Sequence, residues 1–376
     1  MSTVRPDTIL ANDFAAQWDE VREDALAAID RVGSSGWLVL GAEVEAFERE
    51  LGAWWGVEHA VGVASGLDAI EIALRCLGIG PGDRVLTTPL TAFATTLAIM
   101  RAGAVPIWSD VDESGSMDLA AADEVLAADP SIRAVVPVHL YGHPLDPAAL
   151  RAMAERHAVV VVEDCAQSAG AARAGAPTGR AGVAAATSLY PTKNLGAMGD
   201  GGVLLTDDAE LAERARRLRN YGQSERYRHV EPGLNSRLDE LHAAVLRSAL
   251  LPRLDGWLRR RAEVAERYVE ALQDSPVLSA VRPTGGTSAN HLFPVEVIEG
   301  EAERHAEALE AAGVSVGRHY PVLCPDQPAC AGTGSTATAL PTARRLAERE
   351  LSLPLHPHLA DADVERVIDA CGSLAA

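Results

Sequence analysis

The sequence predicts an α/β fold: a mainly parallel sheet sandwiched by helices in a large domain, with a smaller C-terminal α+β domain. Two observations predict it. Short, continuously apolar runs alternate with helical patterns through most of the 376-residue chain, which is typical of strands buried on both faces. From about residue 254 the pattern changes to long helices and two later strand-like segments. Alternating strands and helices favour a parallel sheet covered by helices on both faces.

The elements can be placed in chain order. Apolar spacing predicts a helix over residues 18–32 that ends at Gly33, and further helices at GLDAIEIALRCLG and DPAALRAMAERH. Continuous apolar runs predict buried strands at AVGVAS, RVLTTP, AVVPVHLYG and VVVVEDC. We therefore expect an N-terminal arm and helix (residues 1–33), a large domain (34–253) and a small domain (254–376).

Composition narrows the classes of function. A formal net charge of −20 disfavours binding to nucleic acid or to anionic membranes. No apolar run approaches 18 residues and the start of the chain lacks an apolar signal core, so neither membrane insertion nor secretion is expected. The five cysteines show no C-x-x-C pairing, which predicts a reduced, cytoplasmic protein without a metal site.

The use of basic residues is unusual. Among 33 basic residues Lys193 is the only lysine, and it follows the strand-like ATSLY and precedes a glycine-rich stretch. Arginine replaces lysine well for solvated charge, but only an amine can lose its proton and act as a nucleophile. We therefore predict amine chemistry at Lys193. The alternative is chance survival of one lysine in an arginine-rich composition.

A second candidate site lies at Ser65-Gly66, after the strand AVGVA and at the start of a helix. Ser65 can cap that helix, with Asp68 completing a box-like arrangement. Free N–H groups and the helix dipole at such a position suit a phosphate, and glycine lets a ligand approach the backbone. The alternative is a helix cap with no ligand.

Two more residue types suggest a planar, positively charged ligand. Glu163 and Asp164 end a buried strand on opposite faces, so at least one of them needs a cationic partner. A protonated pyridine nitrogen is one such partner, and a structural salt bridge is the alternative. Phe93, after the strand RVLTTP, can stack on a flat ring or belong to the core. Phosphate site, carboxylate, aromatic ring and lysine together indicate pyridoxal 5'-phosphate.

With these residues, the chain resembles a known family, the DegT/DnrJ/EryC1/StrS sugar aminotransferases, which have the pyridoxal-phosphate-dependent transferase fold of type I. The resemblance runs from about Asn12 to the C-terminus. Its most specific segments are VPVHLYGHPLDP, VVEDCAQSAGA, SLYPTKNLGAMGDGG, LRNYG, GLNSRLDELHAAVL, RHYPV and LSLPLHPHL, and their order and spacing match the family.

The resemblance implies a role for each matching residue. Lys193 holds the cofactor as a Schiff base and Asp164 keeps its pyridine nitrogen protonated. The other implied cofactor contacts are Phe93 on the ring, Gln167 at the phenolic oxygen, Ser65, Gly66, Leu67 and Ser188 at the phosphate, and Asn235 from the other subunit of a homodimer. Residues implied near the substrate are Arg237, His319 and Tyr320.

The implied reaction moves an amino group from L-glutamate to a nucleotide-linked 3- or 4-keto-6-deoxyhexose, with dTDP the expected nucleotide, in amino-sugar or antibiotic-sugar biosynthesis. Leu67 replaces a common threonine, so one side-chain donor to the phosphate is missing. His143, His242 and Pro325 also depart from the family pattern on the substrate side or at the interface.

Three other functions stay open from the sequence. A keto-inositol (aminocyclitol) substrate would use the same chemistry. A non-catalytic regulator could keep the fold, although it has no need of Lys193, Asp164 and Gln167. A nicotinamide dehydrogenase is disfavoured because no G-x-G-x-x-G follows the first strand, and GIGPGD follows a helix and is interpreted as a turn.

Overall fold

A computed structural model describes residues 8–375, so the first seven residues of the predicted N-terminal arm lie outside it. Its α-helices are α1 Phe14–Ser35, α2 Ala42–Trp55, α3 Gly66–Cys76, α4 Phe93–Arg101, α5 Leu119–Ala128, α6 Pro147–His157, α7 Ala209–Leu218, α8 Glu240–Val245, α9 Leu254–Leu272, α10 Ala302–Ala311, α11 Pro341–Arg349 and α12 Asp361–Gly372. One turn of π-helix, Leu246–Leu250, follows α8 on the way to α9.

The strands fall into one large sheet and three small ones. They are β1 His59–Val63, β2 Arg84–Thr87, β3 Val105–Trp108, β4 Ile132–Val136, β5 Val160–Asp164, β6 Ala172–Arg173, β7 Ala176–Pro177, β8 Ala184–Ser188, β9 Gly202–Thr206, β10 Gln223–Glu225, β11 Arg228–His229, β12 Leu278–Ala280, β13 Phe293–Val297, β14 Ser335–Thr336 and β15 Glu350–Leu353. The large sheet has the order β1-β9-β8-β5-β4-β2-β3-β14.

The large sheet is mainly parallel, as predicted, and β9 is its exception. This strand pairs antiparallel with β1 and with β8, while every other neighbouring pair in the sheet is parallel. One apolar cluster packs α1, α2 and α8 on one face, and a second packs α3, α4 and α7 on the other. Because β9 runs backwards, its first residue lies at the edge where β5 and β8 end.

The C-terminal part has its own sheet and core. Strands β12, β13 and β15 form an antiparallel sheet covered by α9, α10 and α12. Several contacts cross the predicted domain limits: Ile9 bridges to Val314, Ala172 bridges to Thr287, and β14 extends the large sheet beside β3. The α/β architecture is as expected, whereas the division at residues 33 and 253 stays a prediction.

The first helix ends later than the sequence suggested. We expected it to stop at Gly33, but α1 continues to Ser35. Gly36 is the capping residue: it has a left-handed backbone (φ 68°), and its N–H donates to the carbonyl of Gly33. A helix commonly ends where glycine adopts this conformation, and two glycines three residues apart left the choice open.

Helix α2 begins at a buried carboxylate supplied by a distant part of the chain. Glu240, 2% exposed, accepts hydrogen bonds from the backbone N–H groups of Gly41 (2.8 Å), Glu43 (3.0 Å) and Val44 (2.8 Å). These N–H groups have no partner within the helix, and a negative charge at this end also interacts favourably with the helix dipole. The contact fixes α2 against α8.

We predict that Glu240→Ala opens the start of α2 without unfolding the chain. Removing the charged acceptor leaves three N–H groups unpaired, so hydrogen exchange at residues 41–44 should accelerate about a hundredfold. Mass-spectrometric hydrogen exchange measures this. Glu213→Ala is the matched control, because the Glu213 carboxylate makes only long contacts of 3.9 Å with two arginines. Equal exchange in both variants would contradict the assignment.

Candidate active site

The predicted site residues gather at one edge of the large sheet. Asp164 and Ser188 are the last residues of β5 and β8, and Ser65 lies two residues after β1. Lys193 lies five residues beyond the end of β8, in a loop where its N–H donates to the carbonyl of Tyr190 at 2.8 Å. Ligands of open α/β sheets bind at this edge, beyond the carboxyl ends of the parallel strands.

The start of α3 has the features of an anion site. Ser65 Oγ accepts a hydrogen bond from the N–H of Asp68 at 3.1 Å, as predicted for a cap. The N–H groups of Gly66 and Leu67 have no partner among the described residues. The Asp68 carboxylate does not close a capping box: it accepts from Ser236 Oγ at 2.7 Å and pairs with Arg101 at 3.1 Å. Two backbone donors are thus left for a ligand.

Glycines allow this loop to pack against β8 and β9. A Cβ on Gly202 would lie 2.2 Å from the backbone carbonyl carbon of Ser65, a distance that no real side chain tolerates. A Cβ on Gly66 would lie 2.8 Å from Cβ of Ser188. Close backbone approach therefore places Ser188 beside the free N–H groups, where its hydroxyl accepts a hydrogen bond from the N–H of Tyr190 at 3.2 Å.

The two acids at the end of β5 have separate partners, as their alternation along the strand predicts. Glu163 points to a closed region, where it bonds to His139 Nε2 at 3.0 Å and to the N–H groups of Gly179, Ala181 and Gly182 at 2.7 to 3.1 Å. Asp164, 4% exposed, accepts from Thr95 Oγ1 at 2.7 Å and from the N–H of Ala166 at 3.0 Å. Glu163 is therefore structural, and Asp164 is the acid that faces the site.

Lys193 lines a cavity of about 250 Å³ together with residues from both parts of the chain. Its polar neighbours in the cavity wall are Asn12, Gln167, Thr192, His291, His319, Tyr320 and Ser352. Burial lowers the pKa of the Lys193 amine to about 8, and the negative charge of Asp164 opposes that shift. Much of the amine is therefore uncharged just above neutral pH, which is the state that a nucleophile or a base needs.

Gln167 connects the cavity to the RHYPV segment. Its side-chain oxygen accepts from the N–H of Tyr141 at 2.6 Å, and its Nε2 donates to the hydroxyl of Tyr320 at 3.2 Å. The Tyr141 hydroxyl in turn donates to the carbonyl of His319 at 2.6 Å. Burial raises the pKa of Tyr320 above its ordinary value, so this phenol stays protonated. His319 and Tyr320 thus lie beside Lys193.

Of the predicted residues, Gln167, Lys193, His319 and Tyr320 line this cavity, and Ser65, Gly66, Asp164 and Ser188 lie at the sheet edge beside it. The remaining four lie elsewhere. Leu67 packs partly buried against the core, so only its backbone N–H is available to a ligand. Phe93 begins α4 and packs beside Trp108, as its alternative core interpretation expects. Asn235 is exposed, and Arg237 lies over the ring of Tyr221 at 5.3 Å while donating to Asn220 at 3.2 Å. Their ligand roles stay predictions.

Four polar residues of the site, Thr95, His291, Glu350 and Ser352, were not predicted from the sequence. Thr95 orients Asp164, and His291 lies buried in the cavity wall with Nδ1 3.3 Å from the side-chain oxygen of Asn194. Burial, together with the charge of Lys193, lowers the pKa of His291 well below its ordinary value. Glu350 and Ser352 lie behind His319. Asn194 follows Lys193 directly, and Ser352 belongs to the segment LSLPLHPHL. The sequence signal for these two residues was therefore their place in segments that resemble the family.

The donor set fits pyridoxal phosphate. Two unpartnered N–H groups and the Ser188 hydroxyl at a helix start match a phosphate. A buried carboxylate matches a protonated pyridine nitrogen, and an amine with a lowered pKa matches the aldehyde carbon. The Gly66 and Gly202 positions leave no room for side chains where backbone and ligand would meet.

The chain is similar to known aminotransferases over nearly its whole length. Residues 19–371 match the model of the DegT/DnrJ/EryC1/StrS aminotransferase family. A dTDP-3-amino-3,4,6-trideoxy-alpha-D-glucose transaminase of Streptomyces venezuelae is 45% identical over 365 residues, covering 95% of this chain and 94% of that protein. The erythromycin biosynthesis sensory transduction protein EryC1 of Saccharopolyspora erythraea is 44% identical, covering 95% of this chain and 96% of that protein.

A solved structure shows the same fold. The crystal structure of S. venezuelae DesV in complex with a ketimine intermediate superimposes with a TM-score of 0.93 at 43% identity, covering 98% of both chains.

Among residues 8–375, no helix combines the length and the apolar character that crossing a membrane requires.

We predict that Lys193 titrates near pH 8 in the cofactor-free protein. Because the anionic Asp164 raises this pKa, Asp164→Asn should lower it further. The rate of trinitrophenylation against pH, read at the Lys193 peptide by mass spectrometry, measures the midpoint. Asp200→Asn, an exposed acid in the same loop, should leave it unchanged. A midpoint near the value of about 10.4 for a solvated lysine would contradict the burial argument.

Proposed function

Because the chain belongs to the DegT/DnrJ/EryC1/StrS aminotransferase family, we propose that it moves an amino group from L-glutamate to a dTDP-linked keto-6-deoxyhexose, using pyridoxal phosphate held by Lys193. The single observation that carries the assignment is the lone lysine of the chain, lying in a cavity at the sheet edge with its amine pKa lowered to about 8. The name of the S. venezuelae relative supports amination at C3 of the sugar, with C4 as the alternative.

Each end of the cofactor has residues suited to hold it. Ser65, Ser188 and the N–H groups of Gly66 and Leu67 bind the phosphate, and Asp164 binds the ring nitrogen. Gln167 lines the same cavity as Lys193 and would be the residue that contacts the phenolic oxygen. When bound, the cofactor takes up the electron pair released at the amino-bearing carbon and carries the amino group between the two half-reactions.

The residues of this chain supply positioning and proton transfer. Lys193, once free, removes the proton from the amino-bearing carbon and returns it on the other side of the reaction, since its amine is partly uncharged near neutral pH. Asp164 stays fixed by Thr95 and Ala166, so its charge is oriented before substrate arrives. Asp164 itself neither gains nor loses a proton in this scheme.

A homodimer is part of the proposal. Exposed apolar side chains surround the start of α8 and the Lys193 loop: Trp37, Leu38, Val39, Met198 and Leu241. Val39 bridges to Asp239, and a Cβ on Gly199 would lie 3.0 Å from His242, so these residues form one continuous patch. The exposed Asn235 lies close by in sequence. We propose that a second copy covers this patch and that Asn235 of each chain reaches the phosphate site of the other, as the family resemblance implies.

A regulatory protein without catalysis is the second candidate, because the EryC1 relative carries a sensory-transduction name. The presence of Lys193 and Asp164 in one site favours catalysis over that role. A keto-inositol acceptor remains the alternative substrate.

We predict that the protein with pyridoxal phosphate is yellow and changes its absorption on addition of glutamate. Lys193→Arg keeps the charge but not the amine, so turnover should fall at least about a thousandfold.

Incubation with glutamate and a panel of dTDP-linked 3- and 4-keto sugars and keto-inositols, with NMR of the product, identifies the acceptor. A protein that stays colourless with added pyridoxal phosphate would contradict the cofactor, and one that binds it without aminating any ketone would favour the regulator.

Mixing two variants tests the shared site. Lys193→Ala and Asn235→Ala should each be poorly active as homodimers. Random mixing after partial denaturation should restore about a quarter of the wild-type activity, because half of the dimers are mixed and each has one intact site. Glu225→Ala, an exposed residue of the β10–β11 hairpin, replaces Asn235→Ala in the control mixture. Glu225→Ala alone should have wild-type activity, and mixing it with Lys193→Ala should then add nothing. No gain with Asn235→Ala would contradict a shared site.

A further inference from the structure

Glu350 is a buried acid with no salt bridge among the described residues, although the charge of Arg318 nearby partly opposes the effect of burial on its pKa. It lies on β15, is 1% exposed, and pairs with no arginine, lysine or histidine side chain among the described residues. Its Oε2 accepts a hydrogen bond from the backbone N–H of His319 at 2.6 Å, and its Oε1 accepts one from Ser352 Oγ at 2.5 Å. Glu350 and Ser352 are two residues apart on the strand, so their side chains lie on the same face.

Ser352 connects this acid to the ring of His319. The Ser352 oxygen lies 2.9 Å from His319 Nδ1, and the ring lines the same cavity as Lys193. The three side chains therefore form a continuous chain of hydrogen bonds from a buried carboxyl group to the cavity. Neither residue behind His319 has a role in the reaction described above.

The direction of these hydrogen bonds depends on one proton. A serine hydroxyl has a single hydrogen. If Glu350 is ionised, Ser352 donates to it and accepts from Nδ1–H, which leaves a lone pair on Nε2. If Glu350 carries a proton on Oε1, that group donates to Ser352, Ser352 donates to Nδ1, and the imidazole proton lies on Nε2. Oε2 is an acceptor in both states, because the backbone N–H of His319 can only donate.

The surroundings of this hydrogen-bond chain favour a change in the protonation of Glu350 near neutral pH. Burial raises the pKa of Glu350 to about 8 and lowers that of His319 to about 4, so the imidazole stays neutral. The titratable or charged groups around the His319 segment are Lys193, His291, Arg318, Tyr141 and Tyr320. Burial lowers the pKa of His291 and raises those of both phenols, and Lys193 further lowers that of His319.

We propose that Glu350, Ser352 and His319 form a proton relay, in which the carboxyl proton decides whether His319 presents a lone pair or an N–H group to the substrate cavity. Its use in catalysis rests on the proposed function. The ammonium group of the amino donor gives a proton to Nε2, Nδ1 gives one to Ser352 Oγ, and the serine proton passes to Glu350. The reverse sequence returns that proton to the amine of the product, so no proton is gained or lost over the full reaction. His319 is the group that meets substrate, and Ser352 and Glu350 act through it.

Nitrogen-15 NMR of histidine-labelled protein without cofactor tests the relay directly, since the chemical shifts of the two ring nitrogens report which carries the proton. We expect the His319 proton to lie on Nε2 at pH 6 and to move to Nδ1 as pH rises through about 8. Glu350→Gln should hold it on Nε2 at every pH, because the amide can donate to Ser352 but cannot ionise. Ser352→Ala should uncouple the ring from pH, and Ser352→Thr should restore the coupling.

Glu296→Gln is the matched control. Glu296 is paired with Glu350 across the β13–β15 ladder, but its carboxylate pairs with Arg345. The Glu296→Gln variant should show the same tautomer change with pH and the same activity as the wild type. A His319 tautomer that ignores pH, or that is the same in Glu350→Gln as in wild type at high pH, would overturn the relay.

Kinetics separate this proposal from the proposed function. With cofactor and glutamate, the single-turnover rate at pH 9 should fall about a hundredfold in Glu350→Gln and in Ser352→Ala, and Ser352→Thr should recover most of it. An unchanged rate in Glu350→Gln, with its tautomer held on Nε2, would overturn proton transfer through the relay. If the NMR results hold but no ketone is aminated, the relay stands and the proposed function fails.

Discussion

The site depends on the balance of two effects on one amine. Burial beside the sheet edge lowers the pKa of Lys193, and Asp164 keeps it from falling further, so that the amine is partly uncharged at about pH 8. A fully solvated lysine would stay charged, and a lysine buried without a carboxylate would destabilise its surroundings. The fold provides both conditions because β5 and β8 are neighbours in the sheet and end at the same edge. The Lys193 loop starts from the end of β8.

The same edge also holds the anion site, and β9 is what brings the two together. Running antiparallel between β1 and β8, it begins at Gly202, directly against the backbone of Ser65. A side chain at Gly202 would displace the start of α3 and its free N–H groups. The glycine-rich stretch after the lysine is therefore a packing requirement: it allows strand, loop and helix to meet at a distance that only glycine permits.

Much of this could be predicted from the sequence because the signals are local. Continuous apolar runs indicated the parallel strands, alternation separated the two acids of β5, and the lone lysine pointed to a residue that the structure places in a cavity at the sheet edge. The exact helix end at Gly36 was missed because Gly33 offered the same local signal. The sheet order, with β9 reversed and β14 added at the edge, depends on distant pairing that no local pattern encodes. Glu350 was missed for a similar reason: a single glutamate in a strand looks like a surface residue until the structure shows it buried behind His319.

The proposed function requires that Lys193 is the residue that holds the cofactor. Borohydride reduction of the protein with bound pyridoxal phosphate, followed by peptide mass spectrometry, tests it most directly. We predict one phosphopyridoxyl group per chain, attached to the Lys193 peptide. Attachment at the N-terminal amine alone, or no attachment to a protein that is otherwise folded, would contradict the claim.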